Sequence, residues 1–411
     1  MGGEVWVQSG TYERITLHPY AYVYGGFRGS ETQRDQRDWS ANVSTLDAQR
    51  QGSVVTSLGG YRASTIDGFT ITNGSASGLY LGGSSPTIAN NTITGNSAYD
   101  GGGLYLDYGS SPTVANNTIT DNIALNGCGG GLYLWSSSPT IANNTITGNI
   151  ALNGYGGGLC LGASSPTIVN NTIAGNSGGG LYLYYYSFPR IANTIVAFNS
   201  SGIYRGDATS TPTLRYNCVY GNSAYDYTGV TDPTGTDGNI SADPMLVRNP
   251  SDGGDGGGDN PATPDVDEGA NDDYGDVRLR AGSPAINAGD PSFVPQAGET
   301  DLDGHARVLC GRVDMGAYEF GIGDYDCDQS VDMADFALWA GCMGGPSGAE
   351  LRMANGEERM TQAFDMLNGA SHEIGSQQFE IGNSCVAFDF DADGDTDLHD
   401  FAGFQRVFVG P

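Results

Sequence analysis

Between Gly78 and Asn176 the chain repeats one short pattern of apolar and polar positions. Each copy holds three alternating runs, which in the first are Leu79-Tyr80-Leu81, Thr87-Ile88-Ala89 and Thr92-Ile93-Thr94. Gly, Ser, Pro and Asn separate them. Period-two alternation over such short runs predicts strands, and no helical period competes with it. Copies begin at Gly78, Gly103, Gly131 and Gly158, with looser ones at Gly180 and Gly202. A unit of roughly 25 residues cannot close a core alone, so neighbouring copies must stack. Three strands per copy, stacked in register, give an all-β parallel β-helix. Leu79, Leu81, Ile88 and Ile93 then point inward above Leu104, Leu106, Val114 and Ile119. Each aliphatic side chain buried in this way contributes roughly 1.5–3 kcal/mol.

Copy length varies between the Gly-Asn pair and the next Gly-Leu, which places inserts such as Ala98 to Gly102 and Ile123 to Gly130 along one edge. Variable loops beside fixed strands are where solenoids keep binding surfaces. The pairs Asn90-Asn91, Asn116-Asn117, Asn143-Asn144 and Asn170-Asn171 fall at the bend before the third strand. Asn tolerates the left-handed backbone there, and stacked amides hydrogen-bond from coil to coil. These repeats resemble those of right-handed parallel β-helix proteins, the pectin-lyase-like superfamily, over roughly Glu4 to Phe320. The resemblance implies the fold and leaves activity open, because that superfamily spans lyases, hydrolases, epimerases and adhesins.

Charge narrows the partners. The 411 residues carry a net charge of −30, and all 17 basic residues are Arg. Such a surface excludes nucleic acid and anionic membrane as partners and favours divalent cations. No apolar run approaches the ~18 residues of a transmembrane helix. Val5-Trp6-Val7 and Arg14 to Leu17 already read as strands. The expectation is therefore a signal peptide and cap upstream of Met1, and an extracellular or cell-surface location. Seven cysteines without a CxxC spacing argue against zinc. Cys160 replaces the Tyr of the repeat and reads as a lone thiol, while Cys342 and Cys385 are placed to clip the tail together.

The chain divides into a β-helix over 1–320 and a calcium-binding module over 321–411, with central repeats at 53–225, an acidic loop insert at 248–275 and closing coils at 276–320. Arg34, Asp35, Arg37 and Asp38 read as a solvated charge cluster, and Asp301, Asp303, Asp314 and Glu319 as turn and cap residues. In the tail, Asp324, Asp326, Asp328, Asp332 and Asp335 stand at the spacing of a cation loop. Asp389, Asp391, Asp393, Asp395, Asp397 and Asp400 repeat it around Gly394. A hard cation needs six or more oxygens in a tight loop, so calcium is the expected cofactor. Short amphipathic helices are expected at Phe336 to Ala340 and Phe401 to Phe408. Ending each loop on Asp resembles dockerin type I modules, which implies a calcium-folded docking tail and a cohesin-like partner.

Function rests on the outward positions. If Leu79 and Leu81 face in, Tyr80 faces out, with Tyr105, Tyr133, Tyr182 and Tyr204 stacked on it and Trp135 and Tyr184 two residues further along their strands. The result is an exposed aromatic strip suited to sugar rings, although stacked tyrosines also brace a sheet laterally. Acid–base residues are sparse: Asp107 with Asp100 or Asp121 is the best carboxylate pair, and Arg205 near Asp207 is the candidate basic centre. The Thr-Ile-Thr runs offer a flat hydroxyl ladder of the kind found in some ice-binding solenoids. The sequence thus favours a glycan-binding or adhesive scaffold held by a docking tail. The alternative is a polysaccharide lyase or glycoside hydrolase acting through Asp100, Asp107, Asp121 and Arg205.

Overall fold

A computed structural model describes residues 3–59, 63–152, 155–250, 273–321, 324 and 327–329. The chain divides into two compact units, Met1–Phe320 and Gly321–Pro411. In the first, three nine-stranded sheets each take one strand per coil. They are called here by the residues that mark them: an Ile sheet (Thr87–Ala89 and its equivalents), a Thr sheet (Thr92–Thr94) and a Tyr sheet (Leu79–Gly82). Pairing within all three is parallel, and it is in register apart from an irregularity between Trp6 and Gln8 in the first strand of the Ile sheet. Leu79 pairs with Leu104, which pairs with Leu132; Ile93 pairs with Ile119 and that with Ile146. The inward residues expected from the alternation, Leu79, Leu81, Ile88, Ile93, Leu104, Leu106, Val114 and Ile119, are fully buried in one continuous core.

Three polar ladders lock the bends, and each has a separate cause. The first Asn of each pair turns the chain, with φ of 55° at Asn116 and 56° at Asn143. The second points inward. Asn91 Nδ2 donates to Asn117 Oδ1 at 3.0 Å, Asn117 to Asn144 at 3.0 Å and Asn144 to Asn171 at 2.9 Å. A second amide ladder, Asn96, Asn122, Asn149, Asn176, Asn199 and Asn222, runs up the bend after the Thr sheet. A serine ladder, including Ser137 to Ser164 and Ser164 to Ser187, runs up the third bend. Buried backbone groups at a bend have no strand partner, and these side chains supply one.

Three expectations are corrected. Cys160 is not a lone thiol: it forms a disulfide with Cys128, which tethers the insert Ile123 to Gly130 to the Tyr sheet. Among the described cysteines the free thiol is Cys218, buried, with its titration pushed up to about 12 by burial. Arg37 is not solvated, because its guanidinium lies 2.7 Å from the buried Asp67 carboxylate and 4.7 Å over the Trp39 ring. Residues 276–320 do not continue the stack as closing coils. Asp276–Leu279 pairs antiparallel with Leu246–Arg248, and the chain beyond folds as a strap onto the outer face of the Thr sheet. Val277, Leu279, Ala285, Ile286 and Met315 pack there against Ala174, Ile195 and Ala197. Ala317 N donates to Thr172 Oγ1 at 3.1 Å, and Asp290 N to Asn193 Oδ1 at 2.7 Å.

The strap also decides the hydroxyl-ladder reading. It buries Thr172, and Thr120, Thr145 and Thr147 are buried as well, so the Thr sheet offers no continuous open face. Asp301, Asp314 and Glu319 work inside the strap as the sequence suggested. Asp301 Oδ1 accepts the Asp303 and His305 amides, and Asp314 accepts those of Asn287 and Phe320. Burial pushes Asp314 up to about 6. An acid raised in the fold stabilises it fully below its unfolded pKa of about 3.9, and that contribution is lost as pH rises through the folded value. Relative to Asp314→Asn, the wild-type strap should therefore weaken by up to roughly 3 kcal/mol between pH 4 and pH 8. Amide exchange at Asn287 and Phe320, followed across that range, measures it. Equal pH profiles for the two proteins would contradict it.

Candidate functional site

The Tyr sheet carries the candidate face. Its outward column runs Tyr80, Tyr105, Tyr133, Cys160, Tyr182 and Tyr204 in register. Ring centroids are 5.4 Å apart for Tyr80 and Tyr105, 5.0 Å for Tyr105 and Tyr133, and 5.1 Å for Tyr182 and Tyr204. The expected strip exists, but it is not the open surface. Tyr133 is only 7% exposed, held beneath the Cys128–Cys160 disulfide, and the other column tyrosines are half-buried. Burial raises the hydroxyl pKa of Tyr133 and pushes that of Tyr105 up to about 12, so these groups remain neutral donors. Much of the column therefore serves as lateral packing.

The open surface lies at the strand ends. One residue beyond the inward Leu, the column reads Gly82, Asp107, then Trp135, Gly162 and Tyr184. Gly162 has no side chain to separate its neighbours: a Cβ there would stand 2.6 Å from the Trp135 ring and 2.9 Å from Tyr184. Trp135 and Tyr184 lean across it to 5.9 Å, and Tyr184 Oη meets Tyr133 Oη at 3.1 Å. Trp135 then stacks on Tyr185 at 5.7 Å and 13°. Tyr185 and Tyr186, in the left-handed region at φ of 50° and 59°, project from the bend and are 53% and 55% exposed. Phe188 is also exposed. These side chains form an aromatic ledge across three coils. Tyr155, from the next insert, stacks on Tyr182 at 4.8 Å and extends it along the face.

Sequence alternation found Trp135 and Tyr184 but missed Tyr155, Tyr185, Tyr186 and Phe188, because bends and inserts have no period. The run Tyr184-Tyr185-Tyr186 was the available signal: three adjacent aromatics cannot all face a core.

The candidate acid–base residues are not all brought together: Asp100 and Asp107 both border Tyr105, while Asp121 and Arg205 stand elsewhere. Asp100 belongs to the loop before the Tyr-sheet strand, where its carboxylate accepts the Cys128 amide at 2.8 Å and burial raises its pKa. Asp107 ends that strand and accepts the Tyr108 amide at 2.6 Å. Asp121 follows the Thr-sheet strand Thr118–Thr120, at a different bend, with φ of 54°. Arg205 pairs in register with the fully buried Leu183, an inward position, so it does not stand on the tyrosine face. Asp207 caps the bend at Thr209 and Ser210 and also accepts the Tyr185 amide, bonds that lower its pKa to about 2.

Of the calcium-loop residues, Asp324 and Asp328 are described. Asp324 is buried and its carboxylate accepts the amides of Asp328 at 3.0 Å and Gln329 at 2.8 Å. Asp326, Asp332, Asp335, Asp389, Asp391, Asp393, Asp395, Asp397 and Asp400, the two expected helices and the Cys342–Cys385 pair lie outside the described residues, as does most of the acidic insert. No group of carboxylate, His or Cys side chains suited to a metal occurs among the described residues.

Comparison with known proteins agrees with this architecture. The family model described as "Right handed beta helix region" matches residues 37–150 and 124–240. Over these residues the chain is a right-handed β-helix. No curated protein matches it. Among solved structures, the crystal structure of pectate lyase Pel9A is similar at 15% identity and a TM-score of 0.43, over 77% of this chain and 87% of its own. A likeness of that size transfers neither residues nor chemistry. Among the described residues no helix is long and apolar enough to cross a membrane.

Proposed function

We propose that this right-handed β-helix is a glycan-binding scaffold, with the ledge of Trp135, Tyr184, Tyr185 and Tyr186 as its binding face. The observation that carries the reading is the stack of the half-buried Trp135 on Tyr185, which is 53% exposed, at the end of the Tyr sheet. A protein leaves aromatic area of this kind uncovered where something else will cover it. Sugar rings present flat C–H faces that match such a platform, and stacking on the strand residues Trp135 and Tyr184 holds the bend residue Tyr185 in place before a sugar arrives. Asp121, at a different bend, and Arg205, at an inward position, stand apart from Asp100 and Asp107, and this supports binding over turnover.

Binding of the intact chain to insoluble polysaccharides tests this. Wild type should sediment with at least one of them, and Trp135→Ala with Tyr185→Ala should weaken sedimentation about 10-fold or more, as truncation of aromatic anchors does elsewhere. Sedimentation unchanged in the double variant would remove the ledge from the account. Release of reducing or unsaturated ends, abolished by Asp107→Ala, would make the protein a polysaccharide-cleaving enzyme.

The same proposal gives the chain an oxidising, extracellular setting, supported by the Cys128–Cys160 disulfide. It also gives the tail a calcium-dependent docking role toward a cohesin-like partner, supported by the spacing of its two acidic loops. Adding calcium to the chelator-treated full chain should increase its helical circular dichroism, and Asp389→Asn with Asp393→Asn should reduce the gain. A spectrum indifferent to calcium would end the docking role.

A further inference from the structure

We infer that the ledge takes an uncharged polysaccharide and rejects acidic ones. The inference rests on the glycan-binding reading and narrows its ligand. From Gly78 to Pro189, the stretch that supplies the whole ledge, the chain contains no Lys, Arg or His. An acidic polymer carries a carboxylate or sulfate on successive sugars, and binding it requires cations spaced along the groove. None is built into these coils. The nearest basic residues in sequence are otherwise placed: Arg205 occupies an inward position beside Leu183, and Arg190 begins an Ile-sheet strand beyond the bend.

The charges that do border the face are negative. Asp100 and Asp107 both act on Tyr105, and the field of Asp100 reaches Tyr133 and Tyr184. Asp207, held ionised by its bend hydrogen bonds, accepts the amide of Tyr185 itself. With a chain charge of −30 behind them, these carboxylates repel an approaching polyanion at long range. Toward an uncharged polymer they act differently, as acceptors for sugar hydroxyls at the rim of a platform that binds the ring faces. The Tyr105 hydroxyl, kept neutral by burial, adds a donor, so the face offers stacking and hydrogen-bonding contacts to a neutral sugar and lacks the cation an acidic sugar requires.

Affinity electrophoresis of the intact chain, with chelator present so that calcium cannot bridge carboxylates, separates the outcomes. The gels contain arabinoxylan, galactomannan or a soluble β-glucan as uncharged polymers, and polygalacturonate or alginate as acidic ones. The expected result is retardation by at least one uncharged polymer and by neither acidic one. That retardation should drop about 10-fold or more in Trp135→Ala and change by less than about two-fold when about 0.5 M NaCl is added. Retardation by an acidic polymer that Trp135→Ala weakens would overturn the inference while leaving the glycan-binding reading intact. No retardation by any of the five would overturn both.

Discussion

Replacing Asn117 with Ala should destabilise its coils by about 3–5 kcal/mol, while Asn116→Gly next to it changes stability by less than about 1 kcal/mol. The two residues share a name and a bend but do different work. Asn117 Oδ1 accepts both the backbone amide and the Nδ2 of Asn91 at 3.0 Å. Its Nδ2 donates to the carbonyls of Ile88 and Ala115 at 2.9 Å and to Asn144 Oδ1 at 3.0 Å. All of this is fully buried, so Ala leaves several polar groups without partners, each costing about 1–3 kcal/mol. Asn116 is used for its backbone, at φ of 55°, a conformation that Gly adopts freely. Coils of a solenoid open locally. Amide exchange at Asn91 is therefore the measurement, and protection there that survives Asn117→Ala would contradict the ladder's role.

The second large effect belongs to the strap. Arg307 is fully buried, and its Nη2 lies 3.0 Å from Glu319 Oε1 and donates to the Gly316 carbonyl at 3.1 Å. Asp314 and Asp301 are buried beside it, and burial raises the pKa of Glu319 although Arg307 opposes the shift. Arg307→Ala removes the fully buried cation from this group and should cost about 3–5 kcal/mol, because a buried charge is left unpaired. The loss should be smaller at pH 4 than at pH 8, since protonation relieves the carboxylates. Replacing the pair together, Arg307→Met with Glu319→Leu, should recover most of it, as apolar substitutes often match a buried ion pair. Limited proteolysis of residues 276–320 reads out all three proteins. A strap as resistant in Arg307→Ala as in wild type would show that apolar packing on Ala174, Ile195 and Ala197 holds it alone.

These two sites also show what a sequence of this kind makes legible. Leu79, Leu81, Ile88 and Ile93 are placed by alternation, because a stacked coil repeats the same geometric demand at the same position. The inward turn of Asn91 and its equivalents was partly legible, since a recurring Asn pair signals a bend and an amide ladder. The second ladder from Asn96 was equally written into the recurring Gly-Asn. The strap was not legible. Asp276–Leu279 alternates like any strand, and only the outward positions Ala174, Ile195 and Ala197, apolar where the copies before them carry Thr, signal that something covers the Thr sheet. The disulfide was hidden for a related reason: Cys160 lies in the repeat, but Cys128 lies in an insert that has no register. The ledge falls between these cases. Its Trp135 and Tyr184 are periodic, while Tyr185 and Tyr186 are set by a bend whose backbone no pattern specifies.

Trp135 is the residue a bound glycan must touch. Trp6, Trp39 and Trp339 are the other indoles of the chain. A variant with those three changed to Phe leaves Trp135 as the sole tryptophan emitter on the ledge. Titrating it with a soluble, uncharged oligosaccharide should shift the emission saturably to shorter wavelength, as a sugar ring displaces water from the indole. Binding retained in the gel with no change in Trp135 emission would place the glycan elsewhere and contradict the account.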